Sequence, residues 1–169
     1  PPAARAAHPP LHVRTLHEEF RSTTMATSHI RSATLPERWL LYDASRFTLG
    51  QLAAQIAMNL MGKDQPTYTA SELNGAFVIV INAEKIRVSG TKADDKHYEF
   101  YSGYPGGLKE VSYADMLRRR PADIVRLAVK RMLPKSTLGR DMRRRLKVYV
   151  GPEHPHSAQK PVTIETIRK

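Results

Sequence analysis

"WLLYDASRFTLGQLAAQIAMNLMGK", residues 39–63, changes its hydrophobic period partway along. The opening "WLLYDA" is a short apolar strand. After it, Leu49, Leu52, Ala53, Ile56 and Leu60 recur at the spacing that lines one face of a helix. Thr48 and Gln51 stand as a capping box at the start of that helix, and Gly62 is placed to end it in a left-handed turn. Strand followed by helix is the first half of a crossover unit. Residues 76–83, "AFVIVINA", supply the second strand. Because that strand is apolar on both faces, it reads as central in a parallel sheet covered on both sides. The expected class is α/β: a three-layer domain with a mostly parallel central sheet covered by helices.

Downstream come "EKIRVSG", a basic loop "TKADDK" at 91–96, and "HYEFYSGYPGGLK" at 97–109. Two helices follow. Ser112 with Asp115 makes a second capping box, and Pro121 suits the first turn of "PADIVRLAVKRML". In that helix Val125, Ala128, Val129 and Met132 are expected to face inward, while Arg126 and Lys130, four apart, share an outer edge. "KVYVG", 147–151, reads as the last strand. This gives an irregular N-terminal extension over 1–36, an α/β domain over 37–151 and an extended C-terminal tail over 152–169, with no internal repeat in the domain.

The chain has 169 residues, a formal charge of +11 and a pI near 10.1. The charge is concentrated. Between Arg118 and Lys147 twelve Lys and Arg face only Asp123 and Asp141, a local +10 that leaves +1 for everything else. A dense single-sign field works against the folded state by self-repulsion, and a polyanion is the partner that neutralises it. A merely solvating surface interleaves its signs, which this segment does not. No cysteine is present, so disulfides and thiolate metal sites are excluded. The longest apolar run, Ala76 to Ile81, is far short of the roughly 20 residues of a spanning helix, and no membrane insertion is expected. Residues 1–36 hold five of the twelve prolines, Arg5, Arg14, Arg21 and Arg31, and only Glu18 and Glu19 as acids. That composition describes an organelle transit segment or its remnant, or equally a tail that follows anionic partners.

An α/β sheet invites an enzyme reading, and the common chemistries fail on inspection. "GYPGGLKE" has glycines but lacks the Gly-Lys-Ser/Thr ending of a phosphate-cradling loop, and no G-x-G-x-x-G follows either strand. "TKAD" without an upstream phosphate loop does not make a guanine site. Asp94, Asp95 and Glu99, beside Lys92 and Lys96, read as a solvated turn rather than a cation site. His154 and His156 would point the same way on a strand, but two imidazoles are too few for a metal centre. No serine stands in a nucleophile elbow. No catalysis, cofactor or small-molecule substrate is expected.

"GYPGGLKE", "MLPKSTLGR", "LKVYVG" and "EHPHSAQKP", in this order and spacing, resemble the large-subunit ribosomal protein L thirteen family. The resemblance starts at "WLLYDA", passes through "TLGQLA" and "VIVINAEKIRVSGTK", and runs to Pro161, about three quarters of the chain. It implies a non-catalytic α/β domain that binds large-subunit ribosomal RNA beside neighbouring large-subunit proteins. A free-standing regulatory RNA binder or, more remotely, a nucleotide-binding enzyme are the alternatives.

By that resemblance Lys92 and Lys96 match a basic loop, and Gly103, Gly106 and Gly107 match a glycine turn where backbone can approach phosphate. Lys130, Lys135, Gly139 and Arg140 match "K-x-M-L-P-K-x-x-L-G-R", and His154, His156 and Gln159 match "E-H-x-H-x-A-Q". Lys63, Lys109, Arg118, Arg119, Arg143, Arg144 and Lys147 complete the basic set expected on phosphates. Phe100 and Tyr101 stand where bacterial relatives tend to carry a histidine pair, so a contact there becomes either aromatic stacking on a base, with Tyr101 the candidate, or simply core packing. Arg131 and Ser136 replace small glycines, and Arg131 is placed to reach an extra phosphate. "SGYPGG" and the N-terminal extension look more like mitochondrial members than bacterial ones, with chloroplast or a bacterial-type cytoplasm as runners-up.

Overall fold

The computed structural model describes Arg31 and residues 35–166. Apart from Arg31, Leu35 and Pro36, the extension read over 1–36 lies outside the described residues, as do residues 167–169. Strand β1, Trp39–Asp43, leads through a 3-10 turn at Ala44–Arg46 into helix α1, Leu49–Met61, and on to β2, Phe77–Ile81. The two strands pair in parallel from Trp39↔Phe77 to Asp43↔Ile81, the crossover expected from residues 39–83. β2 is buried through Val78, Ile79 and Val80, which is why its run is apolar on both faces. Gly62 ends α1 in the left-handed conformation, at φ 79°. Neither bond of the expected capping box is made among the described residues. Thr48 Oγ1 donates to Gln51 Oε1 at 3.0 Å, and no side chain caps the first-turn amides.

"TKADDK" is not a loop but forms the one-turn helix α2, Lys92–Asp95. A hairpin follows, β3 His97–Tyr101 antiparallel to β4 Leu108–Ser112. Then come α3 Tyr113–Arg119, capped by Ser112 Oγ accepting from the Asp115 amide, and α4 Pro121–Met132 with Pro121 in its first turn. Helix α4 buries Ile124, Val125 and Val129 against α1. Met132, expected inside, is 43% exposed because the helix ends there, and Ile124, one turn into α4, supplies buried volume instead. Helix α5, Thr137–Arg144, leads into β5, Leu146–Val148, which pairs in parallel with β2.

The expectation that "KVYVG" is the last strand fails. β6, Val162–Ile164, returns to pair in parallel with β1, so the sheet order is β5-β2-β1-β6. Its three residues follow a prolyl stretch and carry no apolar run, which hides them from a pattern search. Leu40, Tyr42, Val78 and Val80 face the helices in one continuous core. On the other face Trp39 stacks on Phe77 at 4.5 Å, Arg145 lies over Phe77 at 4.8 Å, and His156 of the tail covers Trp39 at 5.4 Å.

Candidate nucleic-acid interface

The local fold explains how the basic run becomes a surface. α4 spends its apolar residues on the core and leaves Arg126 and Lys130 outward. α5 is set against its C-terminal end by a close backbone approach: a Cβ on Gly139 would lie 2.0 Å from the Pro134 carbonyl oxygen. Ser136 Oγ accepts from the Gly139 amide at 3.2 Å and fixes the first turn of α5. These contacts bring Arg143 of α5 beside Lys130 of α4.

The result is a groove of about 810 Å³ lined by Phe100, Lys109, Arg119, Arg120, Arg126, Lys130 and Arg143 among others. Asp123 is the acid on its wall, and it is engaged by Arg126 at 3.1 Å. A second depression of about 530 Å³ shares Lys130 and Arg143 and adds Lys135 and Arg140. The two form one basic track along α4 and α5. It is wide and open, its cations come from β4, α3, the α3–α4 junction, α4, α5 and the turn between those last two helices, and its dominant donors are guanidinium groups suited to phosphate oxygens.

A third cleft of about 560 Å³ lies beyond α4, where Lys92, Lys96 and Arg131 meet the first turn of α1. The hairpin tip is separate again. Gly103 and Gly106 take positive φ of 91° and 72°, and their Cβ positions face open space. Gly107 is constrained by backbone instead, since its Cβ would fall 2.9 Å from the Tyr104 carbonyl oxygen, whereas the nearer Ser102 hydroxyl can rotate away.

The expected residues therefore divide. Lys109, Arg119, Lys130, Lys135, Gly139, Arg140 and Arg143 line the track, with Gly139 acting through packing. Tyr101 does not line it: the register pairs Tyr101 with Leu108 and Phe100 with Lys109, so Phe100 faces the groove and Tyr101, 69% exposed, the opposite side. Arg118 is exposed on α3 outside the groove, and Arg144 is held by Asp141 at 2.9 Å. Lys63 follows α1, with its ammonium 5.9 Å from the Tyr68 ring, and Lys147 sits beside Ile79 on β5.

His154 and His156 lie away from the track, in the tail. His156 Nε2 and the Tyr149 hydroxyl are 2.8 Å apart, and the His156 amide donates to His154 Nδ1 at 3.2 Å. Gln159 is exposed beyond them. Among the described residues no cluster of three or more His, Cys, Asp or Glu is arranged for a metal ion. No helix there is long and apolar enough to cross a membrane.

Arg120, Arg126 and Phe100 are groove residues that the sequence reading left off its candidate set. The helical spacing of Arg126 and Lys130 was signal enough for Arg126, and the alternation of β3 for Phe100. Arg120 belongs to the basic run that starts at Arg118 and sits at the junction of α3 and α4.

Fold and groove together define a class: an α/β protein with a strongly basic groove on its surface. The family described as Ribosomal protein L13 matches residues 37–155. The chain belongs to that family. It is similar to the "Large ribosomal subunit protein uL13" of Aquifex aeolicus, 52% identical over 141 residues that span 83% of this chain and 98% of that protein. The protein of the same name from Chloroflexus aggregans is 51% identical over 81% of this chain and 96% of its own length. That from Thermotoga maritima is 50% identical over 82% and 93%.

Proposed function

We propose that the chain is a structural constituent of the large ribosomal subunit and that the α4–α5 track docks on large-subunit ribosomal RNA. The observation that carries this reading is the track itself, where six cations line the main groove and its acid is already paired. Charge supplies affinity, and the fixed spacing of the two helices supplies fit to the shape of a folded RNA. Neighbouring large-subunit proteins are the further partners of this reading. The role is structural rather than catalytic.

The compartment belongs to the same proposal. The Arg-rich, acid-poor composition of residues 1–36 supports a mitochondrial ribosome, although the relatives named above come from bacteria. Sedimentation of the tagged protein from gently lysed cells tests both parts. Co-migration with a large subunit that survives moderate salt is the expected result, and the species of rRNA in that fraction identifies the compartment. Recovery only in light fractions free of rRNA would overturn the ribosomal reading.

A further inference from the structure

Tyr98 is 3% exposed, and among the described residues its hydroxyl has no hydrogen-bond partner. A buried hydroxyl left unpaired is costly, so the exceptions in a folded protein call for an explanation. Tyr98 lines the cleft between α1, α2 and α4 together with Lys92, Lys96 and Arg131. Lys96 Nζ stands 5.4 Å from its ring centroid. Burial, and secondarily Tyr113, raises its pKa against the opposing pull of Arg131, so the hydroxyl stays a donor at neutral pH.

The same cleft receives the N-terminus of the 13-residue α1 through Thr48, Leu49, Gly50 and Gln51. The Leu49 amide is used by the Arg87 carbonyl and the Leu52 amide by the Thr48 carbonyl. Among the described residues no side chain caps the turn: the Thr48 hydroxyl donates to Gln51 Oε1 and accepts from neither first-turn amide. The amides of Gly50 and Gln51 are thus left for an outside acceptor, at the positive end of the helix. A Cβ on Gly50 would meet nothing within 4 Å, so the space over this turn is open. Asp94 and Asp95 belong to α2 but do not line the cleft.

We propose that this cleft is a dedicated site for one phosphate group, held by Lys92, Lys96, Arg131, the Tyr98 hydroxyl and the first-turn amides of α1. It is distinct from the α4–α5 track and stands on the other side of α4. It deepens the RNA-docking reading by assigning a point contact, yet a free phosphate ion would satisfy the same donors.

The test is titration of the full chain with inorganic phosphate, followed by backbone amide resonances. Saturable shifts at Gly50, Gln51, Lys92 and Lys96 are expected. Tyr98→Phe and Arg131→Gln should each weaken binding about tenfold, the scale of one hydrogen bond to a charged group. Tyr98→Phe should not lower the thermal midpoint, since it deletes an unpaired hydroxyl. Absence of saturable shifts, or wild-type phosphate binding by Tyr98→Phe, overturns the site.

A large-subunit rRNA fragment then identifies the source of the phosphate. If Tyr98→Phe weakens RNA and phosphate alike, the group belongs to the RNA backbone; if phosphate alone, the free ion fills the site. Should every form fail to bind RNA, the ribosomal reading falls, while the phosphate titration still decides this one.

Discussion

Asp43 shows how one side chain closes the end of the central sheet. Its Oδ1 accepts from the Ser45 amide at 3.0 Å, from Ser45 Oγ at 2.8 Å and from Asn82 Nδ2 at 3.0 Å. Burial pushes its carboxyl upward, but the bonds from Asn82 and Ser45, with Arg46 nearby, outweigh that and hold the pKa below its ordinary 3.8. A depressed carboxylate contributes stability that is complete above the unfolded pKa and is lost as pH falls through the folded one. Asp43→Asn should therefore cost about 1 kcal/mol at neutral pH, and that difference from wild type should shrink below about pH 4. Denaturant melts at pH 7, 4 and 3 check it. Gly139 is a second decisive position, where the neighbour is rigid backbone rather than a side chain. Gly139→Ala forces the start of α5 away from Pro134, and a loss of about 1–3 kcal/mol in chemical denaturation is expected.

At the scale of elements, two pieces carry separable tasks. Arg140 and Arg143 project from α5 into solvent and line the track without touching the core, so Arg140→Ala with Arg143→Ala should weaken RNA binding by roughly tenfold or more. The thermal midpoint should hardly move, and filter binding paired with a melt separates the two effects. The C-terminal tail does the opposite work. His156 covers Trp39 and reaches the Tyr149 hydroxyl, fastening the segment that brings β6 to β1. His156→Ala should lower stability by about 1–2 kcal/mol with RNA affinity little changed. Trp39 is the sole tryptophan, so a red shift of its emission reports the loosened tail directly. This division also marks what could be read beforehand. α1, β2 and α4 announce themselves because burial imposes period on their residues, and Ser112 and Pro121 mark helix starts. β6 owes its place to backbone pairing, and His156 to Tyr149 and to Trp39, the latter 117 positions earlier in the chain. Neither leaves a periodic trace. Composition shows an aromatic pair at 100 and 101, and only the register shows that Phe100, rather than the candidate Tyr101, enters the groove.

For the whole molecule, the excess charge acts on folding and on binding with opposite signs. The track keeps Lys109, Arg119, Arg120, Lys130, Lys135, Arg140 and Arg143 side by side, and the ion pair of Arg126 with Asp123 does not offset them. Their mutual repulsion penalises the free folded protein, and added salt screens it within about 8–10 Å. The thermal midpoint of the free chain should accordingly rise between about 50 and 300 mM salt, by a few degrees for a domain of this size if screening returns about 1 kcal/mol. Binding must respond the other way. If about six of these cations each neutralise one phosphate, log K should fall against log salt with a slope of about −4 to −5. One protein preparation measured both ways provides the discriminating test. A flat binding slope with a rising midpoint would mean the cations repel one another without meeting RNA. A steep slope with a flat midpoint would mean they are spaced widely enough in the free protein to ignore one another. The groove geometry requires both trends together, because the proximity that makes these groups repel is the same proximity that lets them act on a single stretch of phosphate backbone.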